Sequence, residues 1–147
     1  MELVLTVVIL AVIAAAVAPV ATTGIQAMVQ GRDLATAESE ATLALERFVR
    51  DVRRTQSIES SSEGTALERV TLVLPEGSVI YSLDDGRLTR DGRTLALRVD
   101  TDSSGSHFRV DRIPANEDEE DQGNQHVTLT LRMAASGIPY QATGVPR

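Results

Sequence analysis

The run from Leu3 to Ala21, LVLTVVILAVIAAAVAPVA, constrains this chain more than any other feature. It carries no charge, and Thr6 is its sole polar side chain. As a helix it is roughly 28 Å long at 1.5 Å per residue, close to the hydrocarbon thickness of a bilayer. It is apolar on every face, unlike a surface helix with one buried stripe. The rest of a 147-residue chain is too small to surround it. A secretory signal peptide fits it poorly. No basic residue precedes it, and its best small-x-small site, Ala16-Val17-Ala18, runs straight into Pro19. The expectation is a retained membrane-spanning helix.

Composition removes several classes of chemistry. There is no cysteine, which excludes disulfide staples, thiolate metal sites and cysteine nucleophiles. The only histidines are His107 and His126, too few for a histidine-rich metal site. Aromatics are 3% with no Trp, and the net charge is −7, so neither a base-stacking platform nor a phosphate-binding surface is expected. No nucleic-acid partner follows from such a surface. All 14 basic residues are Arg, which reads as coding bias.

Two residues mark the apolar run as unusual. Glu2 stands at its head, where a carboxylate is costly unless it reaches the interface or a partner. Pro19 lies near its far end, where it removes a backbone donor. The string Met1-Glu2-Leu3-Val4-Leu5-Thr6-Val7-Val8-Ile9-Leu10-Ala11-Val12-Ile13, with Pro19 seventeen residues after Glu2, resembles the N-terminal segment of type IV pilins and type II secretion pseudopilins. The resemblance covers about the first 25 residues. It implies a helix that anchors in the inner membrane and then packs in a filament core. It also implies that Glu2 pairs with the N-terminal amine of a neighbouring subunit. The family's basic leader is not in this sequence, and Arg32 is the only basic residue near the span. The resemblance therefore carries two further expectations: a native start upstream of Met1, with processing and N-terminal methylation by prepilin peptidase, and a cytoplasmic N-terminus with the rest of the chain extracytoplasmic.

Beyond the span, Thr22-Thr23-Gly24 and Gly31 read as weak interruptions. From Asp33 to Ser57 the pattern turns amphipathic, with Ala37, Ala41, Leu45, Phe48 and Val52 on one stripe. Glu46–Arg50 and Arg47–Asp51 are opposite charges four apart, and the Arg-rich remainder reads as a solvated face. The stretch ending in Asp51-Val52-Arg53 resembles the end of the long helix in J-type minor pseudopilins and W-type minor pilins.

The period then changes. Ile58 to Gly64 reads as a polar loop. Strands are predicted over Val70–Leu74, Val79–Leu83, Arg87–Arg90, Thr94–Val99, Phe108–Ile113 and Val127–Met133. Asp84-Asp85-Gly86 and Asp91-Gly92 read as hairpin turns. The run from Tyr81 and Leu83 through Gly86, Leu88 and Arg90 resembles the same family's Tyr-x-Leu…Gly-x-Leu-x-Arg hairpin. The tail from Pro139 to Arg147 is too generic to assign.

The predicted fold class is α+β: a long N-terminal helix, membrane half plus amphipathic half, packed on one antiparallel sheet. The boundaries are 1–23 for the span, 24–57 for the amphipathic continuation and 58–147 for the sheet domain, with an acidic loop at 115–125. Leu45, Phe48 and Val52 are expected to face Val79, Tyr81, Leu95, Leu97, Val110, Leu129 and Leu131.

Candidate chemistry is sparse. Ser103, Ser104, Ser106 and His107 lie near Asp100 and Asp102, but adjacency in sequence does not make a triad and no nucleophile elbow is present. No catalytic residues and no enzyme activity are expected. Glu117-Asp118-Glu119-Glu120-Asp121 could attract calcium, yet consecutive acids splay apart and do not follow EF-hand spacing, so no metal or cofactor is assigned. The functional expectation is a minor pilin or pseudopilin, whose partners are other such subunits. The alternative is a single-pass anchor carrying an extracytoplasmic binding or sensor domain.

Overall fold

The computed structural model describes residues 2–60, 62–102, 105–113 and 124–146. The chain is α+β. Helix α1 runs from Glu2 to Arg54. Nine strands follow: β1 (Ser57–Glu59), β2 (Ala66–Leu67), β3 (Arg69–Leu74), β4 (Gly77–Asp84), β5 (Arg87–Arg90), β6 (Arg93–Leu97), β7 (His107–Ile113), β8 (Asn124–Arg132) and β9 (Pro139–Gly144). Two compact units divide the chain, Met1–Ala35 and Thr36–Arg147.

In the first unit the helix backbone continues through Gly24 and Gly31, where interruptions were expected. A helical glycine costs only about 1 kcal/mol relative to alanine, which is not a stop signal without a cap or a following proline. The backbone is helical at Glu2 and Pro19 as well, while their side chains lie outside the described residues.

In the second unit α1 ends with Arg53 and Arg54 in its last turn, where cations suit the carbonyl end of the dipole. Thr55 N–H bonds the Val52 carbonyl at 3.1 Å, and Gln56 N–H bonds the Val73 carbonyl at 2.7 Å. These two bonds hand the chain from the helix to the first sheet.

There are two antiparallel sheets rather than the single one expected. One has the order β1-β3-β4-β5-β6 and the other β2-β7-β8-β9. A bridge between Val99 and Met133 joins them. Ile58, placed in a loop by sequence, is buried on β1 opposite Leu72. A three-residue strand with one apolar residue leaves no period to detect. The unassigned tail forms β9, along β8.

Both predicted tight turns form. Asp85–Gly86 joins β4 to β5 with φ of 46° and 69°, and Asp91–Gly92 joins β5 to β6 with φ of 50° and 75°. Two positive φ values in a two-residue loop match the right-handed twist of the flanking strands. A register shift in the β5–β6 pair then places Ala96 opposite Leu88 and Leu97 opposite Arg87. Ala96 is therefore buried and Leu97 is exposed, which corrects the inward assignment of Leu97.

The helix covers both sheets. Phe48 is fully buried, with its ring 5.2 Å from Tyr81 of β4 at 85° and 5.8 Å from Phe108 of β7 at 43°. An edge-to-face contact of this kind adds to the burial itself. Val52, Ala37, Ala41 and Ala44 complete the buried helical face, and Leu45 packs on the core from a half-buried position. Small residues let the helix approach closely. A Cβ built on Gly144 of β9 would lie 2.7 Å from Val52 Cγ1.

Candidate functional site

The first part of the Met1–Ala35 unit presents an aliphatic surface. Every described Leu, Val and Ile from Leu3 to Val17 is half or more exposed. Thr6 turns its hydroxyl back onto the Leu3 carbonyl at 2.9 Å, which spares a polar group from an apolar surrounding. Among the described residues no helix is both long and apolar enough to cross a membrane. The side chains of Ala16 and of Ala18 to Ala21, inside the apolar run, are not among those residues.

The second unit holds its most organised polar group where α1 meets the β4–β5 hairpin. Asp51, read from sequence as a partner of Arg47 on the solvated face, is buried instead. Its Oδ2 accepts the Tyr81 hydroxyl at 2.8 Å and the Arg90 Nε–H at 2.7 Å. Tyr81 and Arg90 reach one carboxylate because they are direct cross-strand partners and so share a face of the sheet. The Asp85–Gly86 turn sets that register. Arg90 also meets Asp91 at 3.2 Å, and the other oxygen of Asp91 accepts the Ile80 N–H at 2.9 Å.

The electrostatics follow from burial. The Tyr81 phenol is held well above its ordinary range, first by desolvation and then by its bond to the Asp51 carboxylate. The Arg90 guanidinium is raised too, chiefly by its hydrogen bond to Asp51. A buried carboxylate facing a cation and a donated hydroxyl is charge-compensated. The carboxylate ties the end of the helix to the hairpin.

Two glutamates hold the helix elsewhere. Glu40 accepts the Leu97 N–H of β6 at 3.1 Å, and Glu38 accepts the Tyr140 hydroxyl of β9 at 3.4 Å. Arg54 pairs with Glu76 of the β3–β4 turn. The expected Glu46–Arg50 and Arg47–Asp51 pairs do not form among the described residues.

The remaining candidates separate. Ser103 and Ser104 lie outside the described residues. Ser106 is buried, its hydroxyl engaged with the Arg132 backbone at 2.8 and 3.3 Å, and His107 turns Nδ1 to the Gly105 carbonyl. The acidic run Glu117–Asp121, considered for calcium, also lies outside the described residues. Among the described residues no group of three or more His, Asp or Glu side chains could hold a metal ion.

No family model matches the chain, and no curated protein or solved structure matches it.

The clamp was half visible in sequence. Asp51 stood in one motif and Tyr81 with Arg90 in another. That the two motifs meet required knowing which face of the helix turned inward.

Proposed function

We propose that this chain is a minor pilin or pseudopilin, a membrane-anchored subunit that enters or primes a pilus-like filament of a secretion or type IV pilus system. One observation carries the reading. An unbroken helix from Glu2 exposes aliphatic side chains over its first part, with a carboxylate at its head. Such a surface needs lipid or other helices to cover it. On this reading the helix has a membrane half and an amphipathic half, and only the second is covered by the chain's own sheets. The first half sits in the inner membrane with its N-terminus cytoplasmic, then moves into the filament core. Glu2 pairs there with the terminal amine of a neighbour, because a buried carboxylate is tolerated beside a fixed cation. The partners are other subunits and, where a leader precedes Met1, prepilin peptidase. No cofactor or catalytic step enters the reading.

The test is Glu2→Val. Membrane insertion should be unchanged or improved, since a charge is removed. Incorporation into filaments, followed by cross-linking to a co-expressed major subunit, should fall. Unchanged incorporation would remove the role of Glu2 and leave the simpler reading, a single-pass anchor for an extracytoplasmic binding domain, whose helix needs neither Glu2 nor Pro19.

A further inference from the structure

Each sheet has two edges, and they are not equally protected. β1 and β2 are only three and two residues long. β6 carries a register shift, and Glu40 takes the Leu97 N–H. Short length, irregular register and a charged cover are the usual protections of an edge. β9 is six residues long, PYQATG, with no charged side chain; its only such device is Pro139 at the first position, which leaves Tyr140 to Gly144 open. Among the described residues no strand pairs with its outer side.

Beside this edge lies a groove of about 790 Å³ between α1 and β9. Half-buried Leu45, Val49 and Ala142 line it, and exposed Arg50, Arg53 and Arg54 border it, against the single carboxylate of Glu46. Arg54 is paired with Glu76, whereas Arg50 and Arg53 form no ion pair among the described residues. Two uncompensated cations side by side are notable in a chain of net charge −7.

We propose that this groove binds an extended acidic segment of a partner protein, which adds as a fifth strand along β9. The open edge selects the conformation, because main-chain donors and acceptors there pair only with another extended backbone. The apolar strip and the two arginines select the side chains. In a strand every second residue faces the same way. The segment therefore turns an apolar residue onto Leu45 and Val49, and acids on the same face of the strand toward Arg50 and Arg53. The groove lies wholly within the Thr36–Arg147 unit, so the proposal stands independently of filament assembly.

The test uses the full chain in detergent micelles and a labelled, blocked heptapeptide. Its four odd positions are threonine, and its three even ones are glutamate, valine and glutamate. Fluorescence anisotropy should show saturable binding that weakens about tenfold or more in the R50E/R53E double variant, as expected for loss of paired charges. Replacing both glutamates by glutamine should weaken it similarly. N-methylation of alternate peptide amides should abolish binding for one alternate set and spare the other, since only one set faces β9. Equal binding of the glutamine peptide, equal effects of the two methylated sets, or an unchanged affinity of R50E/R53E would each overturn the proposal. So would finding that the groove is already filled by a second copy of the chain, seen as self-association that R50E/R53E disperses and the peptide does not.

Discussion

Asp51→Ala is the most informative perturbation of this fold. Asp51 is 5% exposed and Tyr81 is fully buried, so the substitution strips the Tyr81 hydroxyl of its acceptor in a place water does not reach. An unsatisfied buried hydroxyl costs about 1–3 kcal/mol. Removing one partner of a buried ion pair costs about 3–5 kcal/mol. The low end applies here, because the Arg90 side chain is 23% exposed and keeps Asp91 at 3.2 Å. The expected loss is about 2–4 kcal/mol rather than the sum, since the two penalties share one carboxylate. Tyr81→Phe alone deletes one hydrogen bond and leaves Asp51 on Arg90, for a loss of about 1 kcal/mol. In the Asp51→Ala background Tyr81→Phe should be neutral or stabilising, because it removes the stranded hydroxyl. The cycle should therefore show a coupling of about 1–2 kcal/mol. Urea denaturation of the full chain in micelles, followed by pulse proteolysis of the unfolded fraction, reads all four proteins without depending on Tyr81. Additive effects, or an Asp51→Ala loss below about 1 kcal/mol, would refute the clamp.

Three further outcomes are expected. Phe48→Ala should cost about 3–5 kcal/mol in the same melts and Arg50→Ala under about 0.5, since one ring fills the core and the other side chain is solvated. Gly144→Ala should destabilise by about 1–3 kcal/mol, because its new Cβ falls 2.7 Å from Val52 Cγ1; Val52→Ala in the same chain should recover part of that loss. Stability should fall as pH rises past about 10, because the unfolded chain loses the Tyr81 phenolic proton there while the folded chain retains it; Tyr81→Phe should flatten that decline in pH-dependent melts.

Much of the second unit was legible because local rules and global packing agree. The Asp85–Gly86 and Asp91–Gly92 turns are dictated by residues that tolerate positive φ, so their positions needed no tertiary information. The stripe through Ala37, Ala41, Leu45, Phe48 and Val52 was visible as a helical period; all of it but half-buried Leu45 lies in the buried face. Leu97 was assigned to the wrong side because apolar alternation in β6 favoured Leu95 and Leu97, while pairing to β5 placed Ala96 inward. Register is a property of two strands, and one strand's pattern does not contain it. β9 was missed for a related reason. Its residues are neither apolar nor regularly alternating, and they become a strand by pairing with β8.

From residue types and short periods alone it follows that the chain is α+β, that the Leu3–Ala21 run is apolar but for Thr6, and that cysteine chemistry is ruled out. Tertiary structure alone decided that the strands divide into two sheets, that Phe48 meets a ring from each, and that Asp51 turns away from Arg47 toward Tyr81 and Arg90. An exposed pair four residues apart gains a few tenths of a kcal/mol. A carboxylate that compensates a buried hydroxyl and a guanidinium avoids a penalty several times larger. The larger effect prevailed, and it exists only once residues 30 and 39 positions apart are brought within a hydrogen bond of each other.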